Sequence, residues 1–318
     1  MERPQAALKP LLLYLQRKNL GHPLRDRNPD LYHLVTVRTL EAYIWIVPSD
    51  KLNKILGGIL ARYQEIYRVS IFAYCILGNH LHLVLKPTLP NLDEFMENVL
   101  REMARRVNRA IGRRGYFWSR RYDDQVILSE EDLLEAFLYV TTNPVKHGLV
   151  AEASSWPGLH CLHQILDEKP RQYPFVQFSK EDEFGKPMIS YHTLSLTPLP
   201  QMSALNRNNR VRELRAMIAA RQKELATARR NAGLGFLGAK AIRSQPRGSK
   251  PVTVSYSPRP ICYSKDPEIK RQYRADRRFF CDAYIDASIR FRSGDLTAEF
   301  PSHCFKPPLH RTPKKICQ

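Results

Sequence analysis

Two histidines one residue apart, His80 and His82 in "YCILGNHLHLVLKP", interrupt an apolar run of the 318-residue chain. Side chains of an extended segment alternate between faces, so residues 80, 82, 84 and 86 share one side, and Leu81, Leu83 and Leu85 share the other. Two neutral imidazoles projecting in parallel from a rigid strand form adjacent corners of a metal site; the same spacing also suits a polar pair on a half-exposed sheet face. A second pair of capable residues lies in "LLEAFLYVTTNPVKHGLV". Leu133, Leu134, Phe137 and Val140 form the apolar stripe of a helix there, and Tyr139 and Asn143, four residues apart, fall together on its flank. A phenol is a poor nucleophile at its free pKa of about 10, but it becomes effective on a phosphodiester that a metal ion has polarised. Lys146 and His147 follow closely enough to contact the same substrate. Tyr63 and Tyr122 lack such a partner pattern and read as packing, and His160, Cys161 and His163 lack a fourth spaced ligand for a second metal cluster.

The elements that must position these residues follow from periodicity. "LYHLVTVR" (31–38) alternates as a strand, and Ser49-Asp50 opens a helical pattern through Leu52, Ile55, Leu56, Ile59, Leu60 and Tyr63. Gly78-Asn79 separates two β-rich runs, 68–77 and 80–86, as a hairpin turn does. Asn91, with Glu94 three residues on, caps a helix whose stripe runs through Phe95, Met96, Val99, Met103 and Val107. "RYDDQVILS" reads as a strand, and Ser129 to Asp132 as a capping box for the Tyr139 helix, stopped by Pro144. The order β-α-β-β-α-β predicts an α+β fold: a ferredoxin-like split domain with an antiparallel sheet and one further helix. The expected organisation is an N-terminal extension (1–29), this domain (30–166), a proline-bearing linker or irregular wrap (167–202) and a basic, largely helical region (203–318) with helices at 204–230 and 267–292.

"FAYCILGNHLHLVL" followed by "YFWSRRYDDQVILSEEDLLEAFLYVTTNPVKHGLV" resembles the REP-associated tyrosine transposases, members of the HUH class of single-stranded-DNA transposases and nicking enzymes. The resemblance covers about residues 30 to 165. It implies that His80 and His82, with bulky Leu81 between them, bind a metal ion, that Tyr139 is the nucleophile forming a 5′-phosphotyrosine link, and that Asn143 is the third ligand. It further implies Mg2+ or Mn2+ as the ion and single-stranded or hairpin DNA as the partner. The chain departs from the family pattern at Leu77-Gly78, where Met-Pro is usual, and at Thr141, where a histidine is frequent.

Charge points the same way. Lys and Arg number 50 against 31 Asp and Glu, with 22 basic and 19 acidic residues up to position 170 and 28 and 12 beyond it. Such an excess suits a polyanion. Arg101, Arg105 and Arg109 fall at i, i+4 and i+8, opposite the apolar stripe of their helix. Arg113, Arg114, Arg120 and Arg121 follow, with Tyr116, Phe117 and Trp118 interleaved. Together with Lys146 they are candidate DNA contacts, guanidinium groups tracking phosphates and aromatic faces stacking bases. A non-catalytic nucleic-acid-binding protein on the same fold is the rival reading. Six scattered cysteines without a CxxC pair indicate neither a zinc ribbon nor a secreted disulfide scaffold, and no apolar run reaches 18 residues. The expectation is a cytoplasmic, nucleoid-associated protein without membrane contact, compatible with a monomer or a homodimer.

Overall fold

The structure, a computed structural model, describes residues 24–181, 183–251 and 259–308. Most of the expected N-terminal extension and Cys317 lie outside these residues. The chain forms two compact units, Pro29–Lys265 and a second built from 24–28 with 266–308.

In the first unit β1 (Tyr32–Arg38), α1 (Asp50–Tyr67), β2 (Ser70–Ile76), β3 (His80–Lys86), α2 (Leu92–Ile111) and β4 (Asp123–Ile127) follow in the expected order. The strands line up β2-β3-β1-β4 with every neighbouring pair antiparallel. Ser49 caps α1 by accepting from the Leu52 amide at 3.3 Å. The Gly78-Asn79 turn is closed by a 2.8 Å bond from the Leu77 amide to the His80 carbonyl. Asn91 precedes α2 without a capping bond. Its Nδ2 donates instead to the Tyr67 carbonyl at 3.1 Å, tying the start of α2 to the end of α1.

α3 (Glu130–Thr141) starts at Ser129, whose Oγ accepts from the Asp132 amide at 3.1 Å. Proline has no N–H to continue the ladder, so the chain turns at Thr142 and resumes as the single-turn α4 (Asn143–Lys146). α5 (Leu162–Asp167) comes next.

The stretch expected as a linker is ordered structure. β5 (Arg171–Glu181) and β6 (Pro187–Leu194) pair antiparallel and pack on α1. Pro174 within β5 and Pro187 at the start of β6 obscured a strand pattern that is tolerated because a two-stranded sheet has only edges. Gly57 and Gly58 of α1 allow the approach: a Cβ would stand 2.4 Å from the Tyr173 ring at the first and 2.2 Å from the Pro174 carbonyl oxygen at the second.

The basic region also differs from expectation, because it is not one accessory unit. α6 (Arg207–Asn231) packs on α3, α4 and α5 through buried Leu214 and Ile218, and α7 (Ala239–Arg243) follows. β7 (Cys262–Tyr263) then pairs parallel with β4, so the sheet is antiparallel except at this edge. With only two buried residues in 25, α6 carries too little amphipathic signal for its docking face to be read locally. Only the part from Asp266 onward separates. There α8 (Pro267–Arg292) matches the expected helix, and Phe300 packs against Tyr284 and Phe291, each at 5.6 Å. Among the described residues no helix is long and apolar enough to cross a membrane.

Gly→Ala inside a helix ordinarily stabilises by up to about 1 kcal/mol. At Gly58 the new methyl meets backbone that cannot swing aside, so Gly58→Ala should lower unfolding free energy by about 1–3 kcal/mol in urea titrations. A stabilised variant would show that the hairpin does not dock on α1.

Candidate functional site

β1 and β3 run antiparallel with Thr36 opposite His82 and Arg38 opposite His80, so these four side chains share one face. That face is not half-exposed: α3 covers it, and His80 and His82 are 5% and 4% exposed. Leu81, Leu83 and Leu85, on the other face, are fully buried in the main core.

The hydrogen bonds determine the tautomer of His80. Asn79 Nδ2 donates to the Ala42 carbonyl at 3.0 Å, which leaves Asn79 Oδ1, an acceptor only, 2.7 Å from His80 Nδ1. His80 Nδ1 therefore carries the hydrogen, and the lone pair of the neutral ring sits on Nε2. His82 Nδ1 lies 2.8 Å from Thr36 Oγ1. Both Nε2 atoms are buried without a hydrogen-bond partner. Burial depresses both rings, His80 well below the ordinary histidine range and His82 to about 3, and neighbouring histidines add to the effect. Both are neutral at pH 7.

Four side chains of the α3–α4 stretch close the site. The Tyr139 ring stands edge-to-face against His82 at 5.2 Å, and its hydroxyl is pushed up by burial against the opposing effects of Asn143 and Arg38. Asn143 is fully buried and adjoins His80 and Tyr139, yet neither amide atom makes a hydrogen bond of ordinary geometry. Lys146 places its ammonium 4.3 Å over the Tyr139 ring, and burial, then Arg221, lowers its pKa. His147 packs edge-to-face on His80 at 5.1 Å; one side of it is open to solvent, but burial of the ring, then the charge of Lys146, lowers it to about 4. His80, His82, Tyr139, Asn143 and Lys146, the residues singled out for chemistry together with one candidate DNA contact, thus meet in one place.

The arginine candidates are distributed elsewhere. On α2, Arg101 engages Glu97 and Asn98, Arg105 engages Glu102, and Arg109 covers the Phe178 ring at 3.9 Å. Arg113 holds the carbonyls of Gly115 and Tyr116, and Arg120 pairs with Asp123 at 2.6 Å. Arg114 and Arg121 are exposed on the α2–β4 connection. That connection approaches the site through Ser119, whose amide donates to the Arg38 carbonyl at 2.9 Å.

Sequence reasoning missed Thr36 and Arg38. Their even spacing in "LYHLVTVR" was legible, but the register that sets them against the histidines was not. It also missed Arg229, whose charge helps depress His147.

The arrangement offers the unprotonated Nε2 of His80, the Nε2 of His82 and an amide oxygen, all buried and unpartnered, beside a phenol. Among the described residues no group of three or more His, Cys, Asp or Glu is placed to hold a metal ion, so a metal here needs the Asn143 amide or ligands from a substrate.

No protein-family model matches the chain. A putative REP-associated tyrosine transposase of Haemophilus influenzae is 31% identical over 165 residues, an alignment covering 46% of this chain and 88% of that protein. A REP-associated tyrosine transposase of Escherichia coli K12 is 32% identical over 88 residues, covering 28% of this chain and about half, 52%, of the relative. A solved structure of a REP-associated tyrosine transposase bound to a REP hairpin aligns with 53% of this chain and 97% of its own at 18% identity and a TM-score of 0.38. The curated relatives share with this chain the class of DNA-processing transposases. The chain belongs to the REP-associated tyrosine transposase family.

The buried histidines make stability pH-dependent. His82 (about 3) and His160 (about 4), both depressed mainly by burial, bind protons far less readily than in the unfolded chain, where the value is about 6.5. Stability is therefore full above about pH 6.5 and declines as pH falls toward 4, by up to about 1.4 kcal/mol per unit for each ring. His160→Gln should flatten the fall of the urea midpoint between pH 6.5 and 4; an unaltered slope would mean that His160 is not buried neutral.

Proposed function

We propose that the protein cleaves and rejoins single-stranded or hairpin DNA through a 5′-phosphotyrosine intermediate on Tyr139. The observation that carries this reading is the Tyr139 ring 5.2 Å from His82, beside buried and unpartnered His80 Nε2, His82 Nε2 and Asn143 amide atoms. Buried polar atoms are ordinarily satisfied, and orphaned ones call for a partner such as an ion. His80, His82 and Asn143 would hold a divalent ion, Mg2+ or Mn2+, with the oxygens of a DNA phosphate completing the set beside the two imidazoles. Bound there, such an ion draws charge from the phosphoryl oxygens as they develop it.

The chain's own residues account for the remaining steps. Tyr139 loses its phenolic proton to solvent and its oxygen bonds to phosphorus as the bond to the 3′ oxygen breaks; the departing oxygen takes up a proton. Bond energy is retained in the phosphotyrosine, and a second 3′-hydroxyl reverses the reaction without a nucleotide cofactor. Asn79 and Thr36 orient the imidazoles. Lys146, its ammonium over the nucleophile's ring, offsets phosphate charge.

The strand order β2-β3-β1-β4, with helices between β1 and β2 and between β3 and β4, supports reading 30–166 as a ferredoxin-like domain of the HUH type. Arg114, Arg120 and Arg121 offer phosphate contacts leading through Arg38 to the site, and Arg101, Arg105, Arg109 and Arg113 extend this basic surface over α2 and its exit. The exposed cations of the basic C-terminal region bind DNA in the same sequence-independent way. A DNA-bound protein of this kind resides in the cytoplasm, at the nucleoid.

Tyr139→Phe should abolish covalent protein–DNA adducts with labelled single-stranded oligonucleotides and Mn2+ on denaturing gels, while affinity stays within a few-fold; Tyr122→Phe should retain them. An adduct that persists in Tyr139→Phe removes the assignment. His80→Ala with His82→Ala should end cleavage irreversibly with respect to added Mg2+ or Mn2+ and keep the circular-dichroism spectrum. Loss of that spectrum would assign the imidazoles to packing.

A further inference from the structure

Glu135 stands one helical turn before Tyr139 and on the same flank of α3. Its carboxylate receives two cations from the segment after residue 202: Arg221 of α6 at 2.6 Å and Lys265, just past β7, at 2.9 Å. Burial pushes the Glu135 carboxyl up, but the Lys265 hydrogen bond and the Arg221 charge outweigh it and hold it below the usual carboxylate range. One turn earlier, Asp132 Oδ1 accepts the Lys265 amide at 2.8 Å, while Ser129 donates to its other oxygen at 3.0 Å.

The same segment also grips the far end of the Tyr139 stretch. The amides of Leu237 and Gly238 donate to the carbonyls of Gly148 and Leu149 at 3.0 and 2.9 Å. Arg229 lies so close to Gly148 that a Cβ there would stand 2.1 Å from its guanidinium. Gln222 accepts the Ala153 amide at 2.6 Å. Tyr263 of β7 lines the same flank, its hydroxyl pushed up to about 12 by burial, with Glu135 and Tyr139 adding to the shift.

Between these grips the helix breaks at Thr142, where Pro144 removes a ladder donor. The continuous helix ladder therefore does not by itself join Tyr139 to Asn143. More than half of this chain lies outside its alignment with the Haemophilus relative, which covers 46% of it.

We propose that residues 203–251 and 259–265 form an intramolecular clamp, closed where Glu135 takes Arg221 and Lys265, that positions Tyr139 against His80 and His82 and so governs the chemical step rather than DNA affinity. Glu135, Arg221 and Lys265 are positioning residues. The proposal rests on the reading of Tyr139 as nucleophile for its kinetic consequence, but the clamp itself can be observed without catalysis.

The test replaces both cations, Arg221→Gln with Lys265→Gln, in the full chain. Adduct formation on a single-stranded oligonucleotide with Mn2+ should slow by about tenfold to a hundredfold, the range expected for a nucleophile displaced by up to about 1 Å. The Kd for the oligonucleotide should stay within about twofold, and backbone amides of 137–147 should exchange faster with solvent while those of β1 and β3 keep wild-type rates. Arg221→Lys, which retains the charge, should remain near wild type. Wild-type cleavage and exchange in the double variant would overturn the clamp. A loss of affinity matching the loss of rate would overturn it in favour of DNA contact. If the wild-type protein forms no adduct, the nucleophile reading fails, and amide exchange alone decides the clamp. Should the double variant not fold, Glu135→Gln, which keeps the shape and one hydrogen bond, is held to the same outcomes.

Discussion

Everything in the site depends on burying two imidazoles as neutral rings with only one nitrogen each satisfied. Histidine pays a desolvation penalty when charged in such a place, so burial and neutrality are one condition, and it leaves lone pairs available at pH 7. Availability is useful only if the lone pair is on the inward nitrogen. For His80 that is settled by a relay of Ala42 carbonyl, Asn79 amide and His80 Nδ1. The relay in turn depends on an unusual stretch of backbone: Glu41 and Ala42 adopt φ of 51° and 58°, and buried Thr39 ties the loop together by donating to the Tyr43 carbonyl at 2.6 Å. Backbone held in the left-handed region by non-glycine residues costs about 1–3 kcal/mol each and persists where the surroundings demand it. Here the demand is that the Ala42 carbonyl meet Asn79. Gly78 belongs to the same device, because a Cβ there would stand 2.9 Å from Ile44.

The electrostatic surroundings are lopsided in a way that suits a phosphate. Arg38 acts on His80, His82, Tyr139 and His147 alike, while Lys146 and Arg229 add positive charge at His147. A buried carboxylate among the ligand candidates would oppose this, and the candidate set contains none: two imidazoles and an amide are all neutral. Carboxylates occur one and two turns back along α3, at Glu135 and Asp132, where they bind the returning C-terminal segment instead.

This changes the meaning of the basic second half. A cation count suggests a polyanion-binding tail, yet Arg210 pairs with Glu168 at 2.5 Å and Arg221 with Glu135 at 2.6 Å, both inside the fold. Part of the positive charge therefore joins α6 to the first part of the chain, and the rest remains on surfaces where phosphate can reach it. Partly buried pairs of this kind resist salt more than exposed ones do, so the joint should hold under ionic conditions that weaken DNA binding.

The sequence by itself determined the identity and order of the first seven elements through Thr141 and the strand that sets His80 and His82 on one face; the single helix flank expected for Tyr139 and Asn143 is instead broken at Thr142, with Asn143 opening α4. The elements and the shared strand face follow from local rules, period two in strands, period 3.6 in helices and turn chemistry at Gly78-Asn79, each of which acts over a few residues. Thr36, Arg38, Glu135, Arg221 and Lys265 carry no local mark. Their importance comes from register between β1 and β3 and from the docking of α6 and β7, contacts between residues 46, 86 and 130 positions apart. The hairpin of β5 and β6 escaped notice for the same reason: its partner is a pair of glycines in α1, and small size at Gly57 and Gly58 signals a close approach only when the approaching strand is known. Which pairs of distant segments meet is decided by the packing of the whole core, and that is what only the tertiary structure supplied.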